Sequence, residues 1–154
     1  MSSPSGVRIA IVISRFNRAV TDNLLEGARE AVAKFGLHCD DADVFAVPGA
    51  FELPLLAREA ARSARYSAVV CLGAVIRGET PHFDYVCQEA AAGIARVSLE
   101  TGKPVAFGVL TTDDTTQALE RAGGSVGNKG YEAVVTVVET LAAIERVHAA
   151  GSHA

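Results

Sequence analysis

The feature that most constrains this chain is a repeated alternation. Short apolar or β-branched runs are each followed by a stretch whose apolar residues recur every three or four positions. Residues 7–13 (VRIAIVI) read as a strand. Leu24, Leu25, Ala28, Ala31, Val32 and Phe35 then fall at helical spacing, with Gly36 as a stop. A short strand is expected over residues 43–47, ended by Pro48-Gly49, and a second helix over 53–64. Residues 68–75 are continuously apolar, the pattern of a strand buried on both faces. Phe83, Cys87, Ala90, Ile94 and Val97 stripe a third helix, residues 104–110 form a fourth strand, and two helices close the chain at 115–122 and 130–148. Four strands, each followed by a helix, imply an α/β fold: a parallel sheet with right-handed crossovers and helices on both faces, a three-layer α/β/α sandwich.

A length of 154 residues suits one domain with one core, 1–154, with 1–6 and 149–154 expected to fray. No internal repeat, low-complexity tract or linker interrupts it. The net charge of −4 argues against a nucleic-acid or anionic-membrane partner, so an anionic ligand must be held by a few placed cations and backbone N–H groups. The longest apolar run, residues 68–76, is too short to span a bilayer. The N-terminus lacks a basic region followed by a hydrophobic run, so no signal peptide is expected. Cys39, Cys71 and Cys87 are odd in number without a C-x-x-C pair, which suggests reduced thiols in a cytoplasmic protein, with Cys71 and Cys87 as core filler. His38, His82, His148 and His153 are scattered, so no metal site is expected.

Open parallel sheets bind ligands beyond the carboxyl ends of their strands. That rule selects four loops: Ser14-Arg15-Phe16-Asn17, residues 47–52, residues 76–82 and residues 110–113. In the third, Thr80 before Pro81 reads as an N-cap and a first-turn proline. The N–H groups around Gly78 to Thr80 and the positive helix end suit a phosphate. His82, in the first helical turn, carries an imidazole able to pass protons near neutrality. Plain helix capping with a surface histidine accounts for the same residues equally well. Arg121 to Gly130 is glycine-rich but lacks the G-x-x-x-x-G-K-[ST] spacing of a phosphate loop. Arg121 and Lys129 can reach a ligand from it, or it is a flexible connector with solvated charges. Phe16 and Phe51 can flank a flat heterocycle, with Asn17 and Glu52 beside them as hydrogen-bonding groups, or they plug the end of the core.

Taken together, Arg15-Phe16-Asn17, Val47-Pro48-Gly49-Ala50-Phe51-Glu52, the run from Gly73 to Phe83 (GAVIRGETPHF), the run from Phe107 to Thr112 (FGVLTT), and Glu120-Arg121-Ala122-Gly123 followed by Gly127-Asn128-Lys129-Gly130 resemble the lumazine synthase family. The match runs in order from about Val7 to Leu141. The resemblance implies a flavodoxin-like sheet ordered 2-1-3-4. It also implies condensation of 5-amino-6-(D-ribitylamino)uracil with 3,4-dihydroxy-2-butanone 4-phosphate, without metal or organic cofactor. Carried over by motif, Phe16 stacks on the pyrimidine, and Asn17 with Glu52 binds the ribityl chain. Gly49, Ala50 and Phe51 frame the substrate, with Ala74, Val75 and Ile76 beside the ring and Gly78, Glu79 and Thr80 cradling the phosphate. The carboxylate of Glu79 must then point away. His82 is the proton shuttle, and Phe107, Arg121 and Lys129 reach in from a neighbouring subunit of a five-membered ring. The compact connector at 123–129 favours a sixty-subunit shell, which is compatible with riboflavin synthase as an enclosed partner, and the short segment before the first strand leaves little for an N-terminal arm. Two competing readings are a non-catalytic lumazine- or flavin-binding paralogue and a flavodoxin-type electron carrier. The latter fits poorly, because Arg15-Phe16-Asn17 does not make a serine/threonine-rich phosphate loop.

Overall fold

Isoleucine and valine dominate β1 (Ile9–Ser14) and β3 (Ala68–Ile76), and these strands form the centre of a parallel sheet. The sheet is ordered β2-β1-β3-β4, with β2 (Val44–Val47) and β4 (Val105–Thr112) as its edges. The computed structural model describes residues 6–152. Every residue of β1 is buried because both faces are covered. Ile9, Ile11, Ile13, Val70 and Leu72 join the core beneath α1 (Arg18–Lys34) and α5 (Lys129–Gly151). Ala10, Val12, Val69 and Cys71 point the other way, onto α2 (Leu53–Arg62) and α3 (His82–Thr101). This is the α/β/α sandwich of flavodoxin-like order that the alternation and the motifs led us to expect.

The differences lie at element ends. α1 begins at Arg18, well ahead of Leu24, because its first turns are mostly solvent-facing and bury little beyond Val20 and Thr21. α4 (Thr115–Glu120) stops short of Ala122. The expected connector instead contains a small antiparallel hairpin, β5 (Ala122–Gly124) and β6 (Gly127–Asn128), with Gly123 and Gly127 at positive φ. α5 takes in residues 149–151, which were expected to fray; residues 1–5 and 153–154 of the expected frayed ends lie outside the described residues. Cys71 is core, but Cys87 is only half-buried and belongs to neither core cluster, which corrects its assignment as filler. Among the described residues, no helix is long and apolar enough to cross a membrane.

α1 and α5 cross closely because glycines face the seam. A Cβ at Gly130 would collide with the backbone carbonyl oxygen of Leu24, and one at Gly27 with the amide of Asn128. The obstacle at Gly130 is the main chain of Leu24 and not a flexible chain end, so the helices must separate. Gly130→Ala is expected to cost about 1–3 kcal/mol, roughly 3–10 °C in melting temperature at this chain length. A thermal melt that coincides with wild type would show that the seam tolerates the methyl group.

Candidate active site

The carboxyl ends of β1, β2 and β3 open into one cavity of about 540 Å³, a volume typical of small-molecule sites. After β1, Arg15 N–H and Phe16 N–H donate to the carbonyls of Val47 (2.8 Å) and Pro48 (3.1 Å), so this loop is stitched to the end of β2. Asn17 follows at φ 63° and ψ 53°, a left-handed conformation that asparagine tolerates better than most residues. Its Nδ2 donates to Ala74 O at 3.0 Å, tying the loop to β3 as well. The amide nitrogen is thus engaged within the protein, while Asn17 still lines the cavity.

After β2, a short 3-10 turn (Ala50–Glu52) is closed by Glu52 Oε1, which accepts from Gly49 N–H at 2.9 Å. One carboxylate oxygen therefore shapes the turn, leaving the other for the cavity that Glu52 lines. Phe16 is 71% exposed and Phe51 58% exposed. The alternative in which they plug the core is thereby excluded. Two large aromatics left in solvent at the mouth of a cavity mark a surface that awaits a partner.

After β3, the structure corrects one expectation. Thr80 is not the N-cap of α3: Pro81 occupies that position, no side chain caps the helix, and His82 is its first residue. The first N–H groups of a 20-residue helix are left without side-chain acceptors at the cavity edge. Gly78, Thr80 and His82 line the cavity, whereas Glu79 does not. A Cβ on Gly78 would meet open space, so its missing side chain leaves room in the cavity and relieves no clash. The walls also include Phe83, a residue of the expected core stripe, and Val86, which the motifs do not mark. The spacing of Val86 from His82, one helical turn, was the available signal.

Phe107, Arg121 and Lys129 line a second concavity of about 440 Å³, beside β4, together with Gln117, Glu132 and the end of the strand. The hairpin brings the two cations together: Lys129 N–H donates to Arg121 O at 2.9 Å. Asn128 caps α5 by accepting from Gly130 N–H and Tyr131 N–H. Arg121 Nη1 donates to Gln117 O at 3.1 Å and lies 3.6 Å from Glu120 Oε2. Within one protomer, the sequence-predicted residues thus fall into two groups. His82, Phe16, Asn17, Glu52 and the β3 end share one cavity; Phe107, Arg121 and Lys129 share another. Among the described residues, no group of three or more His, Cys, Asp or Glu is placed to hold a metal ion.

A flavodoxin-like sheet with a cavity of backbone N–H groups, aromatics, a carboxylate and an imidazole at its carboxyl end defines a small-molecule-binding α/β protein. A family model described as 6,7-dimethyl-8-ribityllumazine synthase matches residues 6–145. The chain belongs to that family, one of transferases in riboflavin biosynthesis.

Proposed function

We propose that this chain is a single catalytic domain that condenses 5-amino-6-(D-ribitylamino)uracil with 3,4-dihydroxy-2-butanone 4-phosphate. The products are 6,7-dimethyl-8-ribityllumazine, inorganic phosphate and water. One observation carries the reading furthest: among the described residues, the cavity that holds His82 and the start of α3 is lined by no lysine or arginine, while Arg121 and Lys129 line a separate concavity with Phe107. A phosphate substrate needs both the proton-transfer group and the cations. Bringing one protomer's second concavity against the neighbour's cavity supplies them, and a ring of five such protomers closes the arrangement. The same ring is the building block of a sixty-subunit shell, which light scattering of the purified protein distinguishes from a free pentamer.

In this assembly Phe16 stacks on the pyrimidine, and Glu52 and Asn17 face the ribityl hydroxyls. The backbone of Ala74, Val75 and Ile76 pairs with the ring edge, and Gly49, Ala50 and Phe51 wall the site. The loop of Gly78, Glu79 and Thr80 curves around the phosphate with the Glu79 carboxylate outside. The 5-amino nitrogen attacks the ketone carbon, and His82 moves the protons that let water depart and leave an imine. Phosphate then leaves with the C–O bond electrons, its charge met by the neighbour's Arg121 and the helix N-terminus. The resulting enol tautomerises to a ketone, and the ribityl-bearing nitrogen closes the ring with loss of a second water. Holding both reactants in one site removes much of the entropic barrier of a bimolecular reaction.

The direct test mixes the purified protein with both substrates and follows lumazine absorbance and phosphate release together. Tight binding of lumazine or flavin without turnover would establish a non-catalytic binding protein instead. Arg121→Ala is expected to raise KM for the butanone phosphate at least tenfold, the loss of ~1.5 kcal/mol for a charge-assisted contact, with KM for the uracil nearly unchanged. Equal losses for the two substrates would remove Arg121 from the phosphate.

A further inference from the structure

Resting on that reading, we propose that Arg77 is a positioning residue that holds the phosphate-side loop and the first turn of α3 in register with β4. Arg77 lies between two cavity-lining residues, Ile76 and Gly78, yet does not itself line the cavity. Its guanidinium turns to the other side and makes three contacts there. Nε donates to Asp113 Oδ1 at 3.0 Å, Nη1 lies 3.6 Å from Asp84 Oδ1, and Cζ sits 4.4 Å from the ring centroid of Phe83. The planar fork of arginine allows a stacked and a bidentate role together, which a lysine ammonium does not.

These partners belong to separate pieces of the site. Asp113 lies in the loop after β4, where its backbone N–H is held by Gln117 Oε1 at 2.8 Å. Asp84 is in the first turn of α3, and Phe83, adjacent to His82, is a buried wall of the cavity. The main chain repeats the link, since Arg77 N–H donates to Thr112 O at 2.8 Å. Among the described residues Glu79 and Thr80 make no hydrogen bonds of their own, and Arg77 is the side-chain anchor of this loop. The uracil half stands on firmer ground: its walls are the end of β3 and loops stitched to β2 and Ala74. Loss of Arg77 therefore loosens one half of the site and spares the other. The arginine side chain is 48% exposed, and such ion pairs stabilise a fold little, so the effect appears in binding and scarcely in thermal stability.

The test compares wild type, Arg77→Gln and Asp113→Asn, with Arg96→Gln on the exposed flank of α3 as a control. In Arg77→Gln, KM for the butanone phosphate is expected to rise on the order of tenfold, below the ~10²-fold that a 1 Å misplacement can cause. KM for the uracil stays within about twofold. Asp113→Asn, which frees one arm of the fork, shifts the same parameter less and keeps the pattern should Arg77→Gln fold poorly. Calorimetric titration of inorganic phosphate alone is expected to weaken in parallel. The proposal is overturned if both KM values and phosphate affinity match wild type, or if both substrates weaken alike, as a general folding defect produces. A wild-type protein that makes no lumazine overturns the enzymatic reading instead, and the phosphate titration still decides the role of Arg77.

Discussion

The His82→Ala variant is expected to turn over about 10²-fold more slowly than wild type, with little change in either KM. That is the low end of the ~10²–10⁴-fold range for positioned acid–base groups. In the proposed condensation several protons must move within one small site: off the attacking nitrogen, onto the departing hydroxyl, and between carbon and oxygen as the enol rearranges. Of the residues lining the cavity, Glu52 already spends one oxygen on the Gly49 turn, and Thr80 offers a hydroxyl that neither gains nor loses a proton near neutrality. His82 supplies the imidazole of the lining, and its place as the first residue of α3 sets it beside the uncapped helix end to which the proposed reaction assigns the departing phosphate. The low end is expected because His82 is exposed in the protomer, so water can substitute in part. His82→Gln, which keeps a hydrogen-bonding side chain but cannot ionise, should be as slow as the alanine variant. Single-turnover measurements separate the chemical step from product release. A chemical rate within twofold of wild type would remove His82 from the proton-transfer path.

The strands were legible because burial leaves a compositional trace: β3 is apolar at every position and is buried on both faces over most of its length. Element ends were less legible where the cause is conformational or lies far along the chain. Nothing in the composition of residues 18–23 announces that α1 already runs there, and the left-handed Asn17 that starts it is held by Ala74 O, 57 residues away. Thr80 was misassigned because a threonine followed by proline is a good local cap, and here the chain turns one residue later. The hairpin of β5 and β6 is too short to show any alternation, and its glycines read equally well as a flexible tether. Of the candidate site, the loops and the imidazole could be placed from the strand ends alone. The division of its residues between two cavities is not legible in periodicity or composition and came only from the family motifs, because it depends on the edge position of β4. Nor is the contact of Arg77 with Asp113 legible there, 36 residues apart and set by the β3–β4 register.

At the opposite, amino-terminal end of the sheet, Asp43→Ala is expected to lower stability by about 3 kcal/mol. Asp43 is wholly buried just before β2 and is the common acceptor for three strand starts. Tyr66 Oη donates to it at 2.7 Å and Arg65 Nε at 3.0 Å, both from just ahead of β3. Arg8, just ahead of β1, donates to its other oxygen, which also accepts from Asp40 N–H at 3.0 Å. Burial pushes the carboxyl pKa up, but the hydrogen bonds from Asp40, Tyr66, Arg65 and Arg8 outweigh it and hold the group well below the usual carboxylate range. Breaking such a buried cluster from one side typically costs ~3–5 kcal/mol. The low end applies because Arg65 and Arg8 retain 53% and 27% exposure and can rehydrate. In a melt at fixed protein concentration this corresponds to a fall of roughly 6–12 °C. Because the folded-state pKa is depressed, the ionised carboxylate contributes fully above the unfolded value of about 3.9, and that contribution is lost as pH falls toward the folded value. The stability gap between wild type and Asp43→Asn should therefore hold from neutrality down to about pH 5 and shrink below pH 4. A gap that stays constant into that acid range would show that packing, not charge, is what Asp43 supplies.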